Sequence, residues 1–362
     1  MEPPVEIPYG HQSVDAADIE VVTAVLHSDR LTQGPEIERF ERALTEATGA
    51  SHAVVFSNGT AALHAAAAVA GLGPGDTVVT SPLSFVASAN CARFVGATPA
   101  FVDIDPATLN LDPRGVPTGA AGLVAVHFAG LPLDLRQLAH RPPVVIEDAA
   151  HALGARTPDG PVGNCAHSDM CCFSFHPVKA ITTGEGGAVT TNDAGFAARL
   201  RVFRNHGMER SRDGAPWEYD ITGPGWNYRM TDLQAALGTS QLSRLAAFVG
   251  RRNELADRYR VVLADLDVEL PPEAPTGFTH AYHLFPVRVP DRRRMFEGLR
   301  SRGIGVQVHY VPIHHFTSYR DVATTDLPAT EAAYERLLSL PLFPDLSEKE
   351  QDVVVSALQE LL

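Results

Sequence analysis

The chain has 362 residues, 45% of them hydrophobic, enough for a large core and for one big domain joined to a smaller one. Its 43 acidic against 29 basic side chains give a formal charge of −14, so most of the surface repels a polyanion and nucleic acid is not an expected partner. The opening "MEPPVEIPYGHQ" lacks the basic and apolar regions of a leader, and no apolar run is long enough to span a membrane, which reads as a cytoplasmic protein.

An arm over residues 1–14 comes first. "PEIERFERALTEATG" then predicts a helix, with Pro35 in the first turn, Ile37, Phe40 and Leu44 on one face, and Gly49 as the stop. Short β-rich runs follow: "HAVVFS", "DTVVTSP", "TPAFVDI", "GLVAVHF", "PPVVIED", "DMCCFSF" and "GAVTT". Several are apolar throughout, as strands covered on both faces must be. Between the first two lies the Ala-rich, helical "TAALHAAAAVAGLG". The alternation predicts an α/β fold with a mainly parallel sheet and crossover helices. "TDLQAALGTSQLSRLAAFVGRRNELADRYRVVLADL" predicts one bent helix or two. Beyond it, "HAYHLFPVRV", "RRRMFEGLRSRGIGVQVHY" and "EAAYERLLSLPLFP" predict a strand, a helix, a strand and a final helix. The domains are expected at 1–245 and 246–362, the second a smaller α+β unit. Cys91, Cys165, Cys171 and Cys172 have no CxxC spacing and read as reduced structural thiols.

Ligands of open α/β sheets sit at the carboxyl ends of the strands, and three such ends carry reactive groups here. "VVIEDAAHALG" leaves Glu147, Asp148 and His151 at or just past one strand. "MCCFSFH" delivers Ser174 and His176 just before Lys179 in a chain where lysine is scarce. "VVFSNGTAALH" turns from strand to helix at Asn58-Gly59-Thr60, where free N–H groups and a helix dipole suit an anion, although Ser57 or Asn58 could equally be a plain N-cap. "GLGPGD" precedes a strand and lacks dinucleotide spacing, so it is a turn. Pyridoxal phosphate would use all three strand ends: a lysine for its aldehyde, a carboxylate for its ring nitrogen and a cup for its phosphate. From the residues alone, an ordinary solvated lysine remains the simpler reading of Lys179.

"SNGTAAL", "VIEDAAHALGA", "FSFHPVKAITTGEGGAVTTND", "NYRMTDLQAALGTSQL" and "SLPLFP" together resemble the DegT/DnrJ family of sugar aminotransferases that use pyridoxal phosphate (PLP). The opening "IPYGHQSVDAADIEVVTAVLHSDRLTQGP", with "VHFAG" and "FHPVK", is most similar to the branch serving pseudaminic acid synthesis. The resemblance implies an aspartate-aminotransferase-like (type I PLP) fold and a homodimer with shared active sites. It also implies transfer of an amino group from L-glutamate to carbon four of a nucleotide-linked 4-keto-6-deoxy sugar, here a UDP-linked N-acetylhexosamine. The same chemistry on a dTDP-linked 3- or 4-keto deoxyhexose is the alternative, and a cofactor- or sugar-binding regulator without activity is the non-enzymatic one.

Position by position, the resemblance implies that Lys179 carries the cofactor as a Schiff base and moves the proton. Asp148 pairs with the pyridine nitrogen, and His151 supports it or the ring-hydroxyl side. Phe85 stacks on the ring. Gly59, Thr60 and Ser174 hold the phosphate, completed by Asn227 of the other subunit. Tyr9, Asp29, Arg30, Leu31, Thr32, His309 and Tyr310 contact the sugar nucleotide. Ala180 departs from the Asn or Thr often found after the lysine. The lysine itself separates the chain from the family's dehydratase branch, which carries His there. His314 and His315 have no Cys or carboxylate at a recognisable ligand spacing, so no metal is expected. The run "RRRMFEGLRSR" reads as a solvated helix face, and Arg229, beside Asn227, is a candidate for a carboxylate or phosphate across the dimer interface.

Overall fold

The computed structural model describes residues 7–210, 215–322 and 326–362. Each of the seven β-rich runs is a strand of one sheet: β1 (His52–Phe56), β2 (Thr77–Thr80), β3 (Thr98–Phe101), β4 (Gly122–Val126), β5 (Val144–Asp148), β6 (Met170–Ser174) and β7 (Gly187–Thr191). Their order is β1-β7-β6-β5-β4-β2-β3. β7 runs antiparallel to both β1 and β6, and the other pairs are parallel.

Helices cover both faces. On one side lie α2 (Pro35–Thr48) and α6 (Asp232–Ser243), with α1 (Ala16–Leu26) stacked outside α6 through Asp18, which accepts from Ser240 and Gln241 at 2.6 Å. On the other lie α3 (Gly59–Val69), α4 (Ala87–Phe94) and α5 (Ala194–Phe203). Strand alternation feeds both layers. Ala53 and Val55 of β1 pack with Phe40 and Leu44, whereas Val54 and Phe56 pack with the alanines of α3. Cys171 and Phe173 of β6 face the first layer, Met170 and Cys172 the second. The adjacent cysteines therefore point to opposite faces, and all four thiols are free and buried. Phe40 and Leu44 are fully buried, worth about 1.5–3 kcal/mol each in transfer terms. Gly49 closes α2 at φ 77°, the left-handed cap that glycine adopts without strain.

The long helical stretch is two helices, α6 and α7 (Leu245–Val262), meeting at Arg244. α7 links two cores: Leu245 and Phe248 pack in the sheet layer, while Leu255, Ala256 and Tyr259 pack in a second core. The second core is built on β8 (Phe285–Arg288), paired antiparallel with β9 (Leu337–Leu340), and on α8 (Arg292–Ser301) and α10 (Glu348–Leu361). The arm joins this core rather than the sheet, since Ile7 is buried there and bridges Ile304.

Two expectations change in this region. The stretch read as one final helix divides into α9 (Pro328–Arg336) and β9, because Leu337 to Leu340 are all buried and leave no solvent face for a surface helix. "GVQVHY" is not a regular strand; it touches β9 at one bridge, Gln307 with Ser339. No helix among the described residues is long and apolar enough to cross a membrane.

Candidate active site

The carboxyl ends of β5 and β6 and the β1–α3 turn open on one cleft of about 680 Å³, lined among others by Gly59, Thr60, Phe85, Asp148, His151, Ser174, Lys179, His309 and Tyr310. Lys179 reaches it through a tight turn. The Lys179 N–H donates to the His176 carbonyl at 2.9 Å, and Pro177 holds the second turn position, where its fixed φ is pre-organised. Lys179 is one of two lysines in the chain, with Lys349. Part of its side chain borders the open cleft, but the atoms packed around Nζ desolvate it and lower its pKa to about 8 against the opposing pull of Asp148.

The β1–α3 turn is both an N-cap and a cradle. Asn58 accepts from the Ala61 N–H at 2.8 Å, while the Gly59 and Thr60 amides have no acceptor among the described residues. A Cβ on Gly59 would stand 2.9 Å from Ser174 Cβ, and one on Gly187 would stand 2.5 Å from the Asn58 carbonyl. The glycines thus let the "GEGG" backbone and Ser174 close on this turn.

Asp148, at the end of β5, accepts from Ser88 Oγ at 2.6 Å and from the Ala150 N–H at 3.2 Å. His151 pairs through Nε2 with the Tyr310 hydroxyl at 3.0 Å rather than with Asp148, and its buried Nδ1 has no partner. Burial, with Lys179 and His309 beside it, holds its pKa well below the ordinary histidine range. Phe85 is 57% exposed although aromatic, its ring 6.1 Å from that of Tyr310. Tyr9 tilts against His309 at 5.4 Å, and His309 Nδ1 meets Ser339 Oγ at 2.9 Å.

Six of the sequence candidates stand elsewhere. Asp29, Arg30, Leu31 and Thr32 form an exposed segment outside this cleft, anchored where the Asp232 N–H meets the Leu31 carbonyl at 3.0 Å. Asn227 is exposed beside Tyr228, which does line the cleft. Arg229 is held by Asn205 Oδ1 at 2.8 Å. His314 and His315 do have a carboxylate partner: Glu331 of α9 takes both Nε2 atoms on one oxygen, at 2.7 and 2.8 Å. A separation of 16 or 17 residues hid it from a search for ligand spacing.

Three groups in or behind the cleft escaped sequence reading. Ser88 sits on α4 and Tyr228 beside Asn227, each without a local motif to single it out. His283 lies 104 residues from Lys179, yet its Nε2 is 3.4 Å from Nζ. Nothing local in "HAYHLF" marks it.

Residues 12–359 match the DegT/DnrJ/EryC1/StrS aminotransferase family. The chain belongs to that family. It is 35% identical to the spore coat polysaccharide biosynthesis protein SpsC of Bacillus subtilis, over 98% of this chain and 97% of that protein. The sugar aminotransferase Spr1654 of Streptococcus pneumoniae, in its PMP form, superposes with a TM-score of 0.92 at 28% identity, covering 98% of this chain and 99% of that one. PseC of Helicobacter pylori, an aminotransferase of pseudaminic acid biosynthesis, gives 0.90 at 29%, over 98% and 99%.

The protein is thus a sugar aminotransferase dependent on PLP, with the fold of the solved enzymes of that kind. The cleft fits that cofactor: it holds a lysine, a buried carboxylate, a glycine turn with unspent amides, and two buried imidazole atoms, Nδ1 of His151 and of His283, without protein partners.

Proposed function

We propose that the protein aminates carbon four of a UDP-linked 4-keto-6-deoxy-N-acetylhexosamine with nitrogen from L-glutamate. The observation that carries this reading is the convergence of Lys179, Asp148 and the Gly59-Thr60 turn on one cleft; the likeness to PseC and the motifs of the opening segment favour the sugar. When bound, PLP supplies an aldehyde for amines and a ring that accepts the electron pair left behind as a proton departs. Lys179 would hold the cofactor covalently and, whenever its amine is free, would accept and return the substrate's proton at Nζ. With its pKa near 8, a useful fraction of the free amine is neutral at physiological pH.

Asp148 would keep the pyridine nitrogen protonated, fixed in direction by Ser88. Phe85 would cover the ring, and the Gly59 and Thr60 amides with Ser174 would hold the phosphate. Tyr9, His309 and Tyr310 would meet the sugar nucleotide. Asn227 and residues 29–32 are exposed and outside their own cleft, so we assign them to the cleft of a second copy, making the enzyme a homodimer with shared sites. Exposed Trp217, Tyr219, Ile221 and Trp226, on the segment leading to Asn227, support such an interface.

Incubation with glutamate and a panel of UDP- and dTDP-linked keto sugars, read by mass spectrometry, tests the reading. Amination of the UDP-linked 4-keto sugar is expected. Turnover confined to a dTDP-linked 3- or 4-keto deoxyhexose moves the enzyme to the alternative substrate class. Lys179→Ala should lose turnover on the order of 10⁴-fold or more, and an active variant removes the covalent role.

A further inference from the structure

Beside Lys179 stands a histidine to which the reading above gives no task. His283 lies two residues before β8 and is 5% exposed. Its Nε2 is 3.4 Å from Lys179 Nζ, its ring is 4.3 Å from that of His151, and its Nδ1 is buried without a partner. The segment bearing it is held from both sides. The Ala281 N–H donates to the Gly130 carbonyl at 3.0 Å and the Leu284 N–H to the Ala129 carbonyl at 3.2 Å. Arg252, 1% exposed, spends its guanidinium on the carbonyls of Tyr282, His283 and Leu342 at 3.2, 3.4 and 2.8 Å. Burying an arginine to serve three carbonyls is costly, and here it fixes where His283 stands.

We propose that His283 is the positioning residue for the Lys179 amine: its neutral imidazole accepts one amine hydrogen at Nε2 and holds Nζ in place whenever the amine is not covalently engaged. The function given to this contact rests on the aminotransferase reading. An amine that gives one N–H to a fixed acceptor keeps its lone pair in a defined direction, as a proton-transfer base requires. After the amine takes a proton, the same bond becomes charge-assisted and stronger. His283 therefore raises the basicity of Lys179 and partly offsets its desolvation.

The surrounding groups agree with an accepting role. Burial, then Lys179, His151, Arg252 and His309, hold the His283 pKa well below the ordinary value, so the ring is neutral. Asp148 at the end of β5 pulls the Lys179 pKa up; His151, His309 and the Tyr310 hydroxyl complete the titratable wall around the amine. The tautomer with Nε2 as acceptor carries its proton on Nδ1, which leaves an unmet donor in the cleft wall for a ligand.

The chain's two lysines make the test direct. Selective ¹³C-lysine labelling of the cofactor-free full-length protein gives two Cε signals, assigned with Lys349→Arg and followed against pH. Lys179 should titrate near pH 8. In His283→Phe, which keeps the ring volume but removes the acceptor, its midpoint should fall by about one unit, a ten-fold loss of proton affinity. His283→Gln, which keeps an acceptor, should restore at least half of that shift, and Lys349 should not move. An unchanged or raised midpoint in a folded His283→Phe protein overturns the proposal; His283→Leu supplies the same measurement if the Phe variant does not fold. PLP uptake is read separately from the yellow band of the lysine adduct. Its absence in the parent protein would defeat the aminotransferase reading while leaving the titration result standing.

Discussion

Glu147 and Asp148 are neighbours on β5, each 7% exposed, and the pleat sends them to opposite faces of the sheet. Glu147 enters a closed network. Its carboxylate meets His127 Nε2 at 2.7 Å and Ser168 Oγ at 2.5 Å. The Leu133 N–H donates to His127 Nδ1 at 3.0 Å, so the ring's proton sits on Nε2 and points at Glu147. Both nitrogens of that ring and both oxygens of that carboxylate are engaged. Asp148 has the same burial and a different remainder. It borders the cleft near His151 and His283, two rings that each leave a buried Nδ1 unpaired. Each such atom costs about 1–3 kcal/mol until a partner arrives. A saturated network can only hold the fold, whereas an unsaturated one is stabilised by a ligand. Burial alone separates neither case.

Exchanging the two carboxylates' fates is the way to break this comparison. Asp148→Asn keeps the shape and the bond from Ser88 but removes the charge meant for the cofactor ring. Steady-state kinetics should show turnover lower by about 10²–10³-fold, with the melting temperature of the cofactor-free protein within a few degrees of the parent. A variant of near-normal rate would mean that Asp148 is as purely structural as its neighbour.

Glu147→Ala should do the reverse. Denaturant unfolding should report a loss of about 2–4 kcal/mol, because a charged hydrogen-bond acceptor disappears and the His127 N–H is left unpaired in the core. Turnover per folded molecule should stay within about two-fold. The pH dependence carries the same signature. Burial pushes the Glu147 carboxyl up, but the His127 and Ser168 hydrogen bonds outweigh it and leave the pKa below the ordinary glutamate value. The stability it contributes is therefore present above the unfolded glutamate pKa and is lost as pH falls through the lowered folded one. Glu147→Ala should flatten that acid limb; an unaltered limb would assign it to other carboxylates.

What could be read from the chain follows the same division. The seven sheet strands were legible because burial on both faces removes their polar residues, and α2 because Pro35, its apolar face and Gly49 agree. Lys179, Asp148 and the Gly59 turn were legible because each sits in a local motif at a strand end. His283 and Glu331 were not, since their partners arrive from elements many residues away and no local pattern records the meeting. The α9–β9 boundary was missed because Leu337 to Leu340 continue a helical-looking run, and only the pairing with β8 pulls them into a strand.

The smallest expected effect is the most discriminating, because it makes the same deletion on both sides of β5. Ser88 Oγ donates to Asp148 at 2.6 Å and lies 2.7 Å from Ser84 Oγ, whose residue lines the cleft. Ser168 Oγ donates to Glu147 at 2.5 Å within the closed network. Removing either hydroxyl takes one hydrogen bond from a buried carboxylate. Ser88 is fully buried, so no water replaces the lost donor directly, and Ser88→Ala should cost about 1–3 kcal/mol of stability in the cofactor-free protein. It should also weaken the hold on PLP a few-fold, since Asp148 loses the bond that fixes its direction. Ser168 is partly exposed beside Ala166 and His167, so water can take its place against Glu147, and Ser168→Ala should cost under about 1 kcal/mol with PLP affinity unchanged. A weaker hold on PLP in Ser168→Ala, or an unchanged one in Ser88→Ala, would mean that the two carboxylates do not divide between cofactor and fold, and the contrast between neighbouring carboxylates would fail.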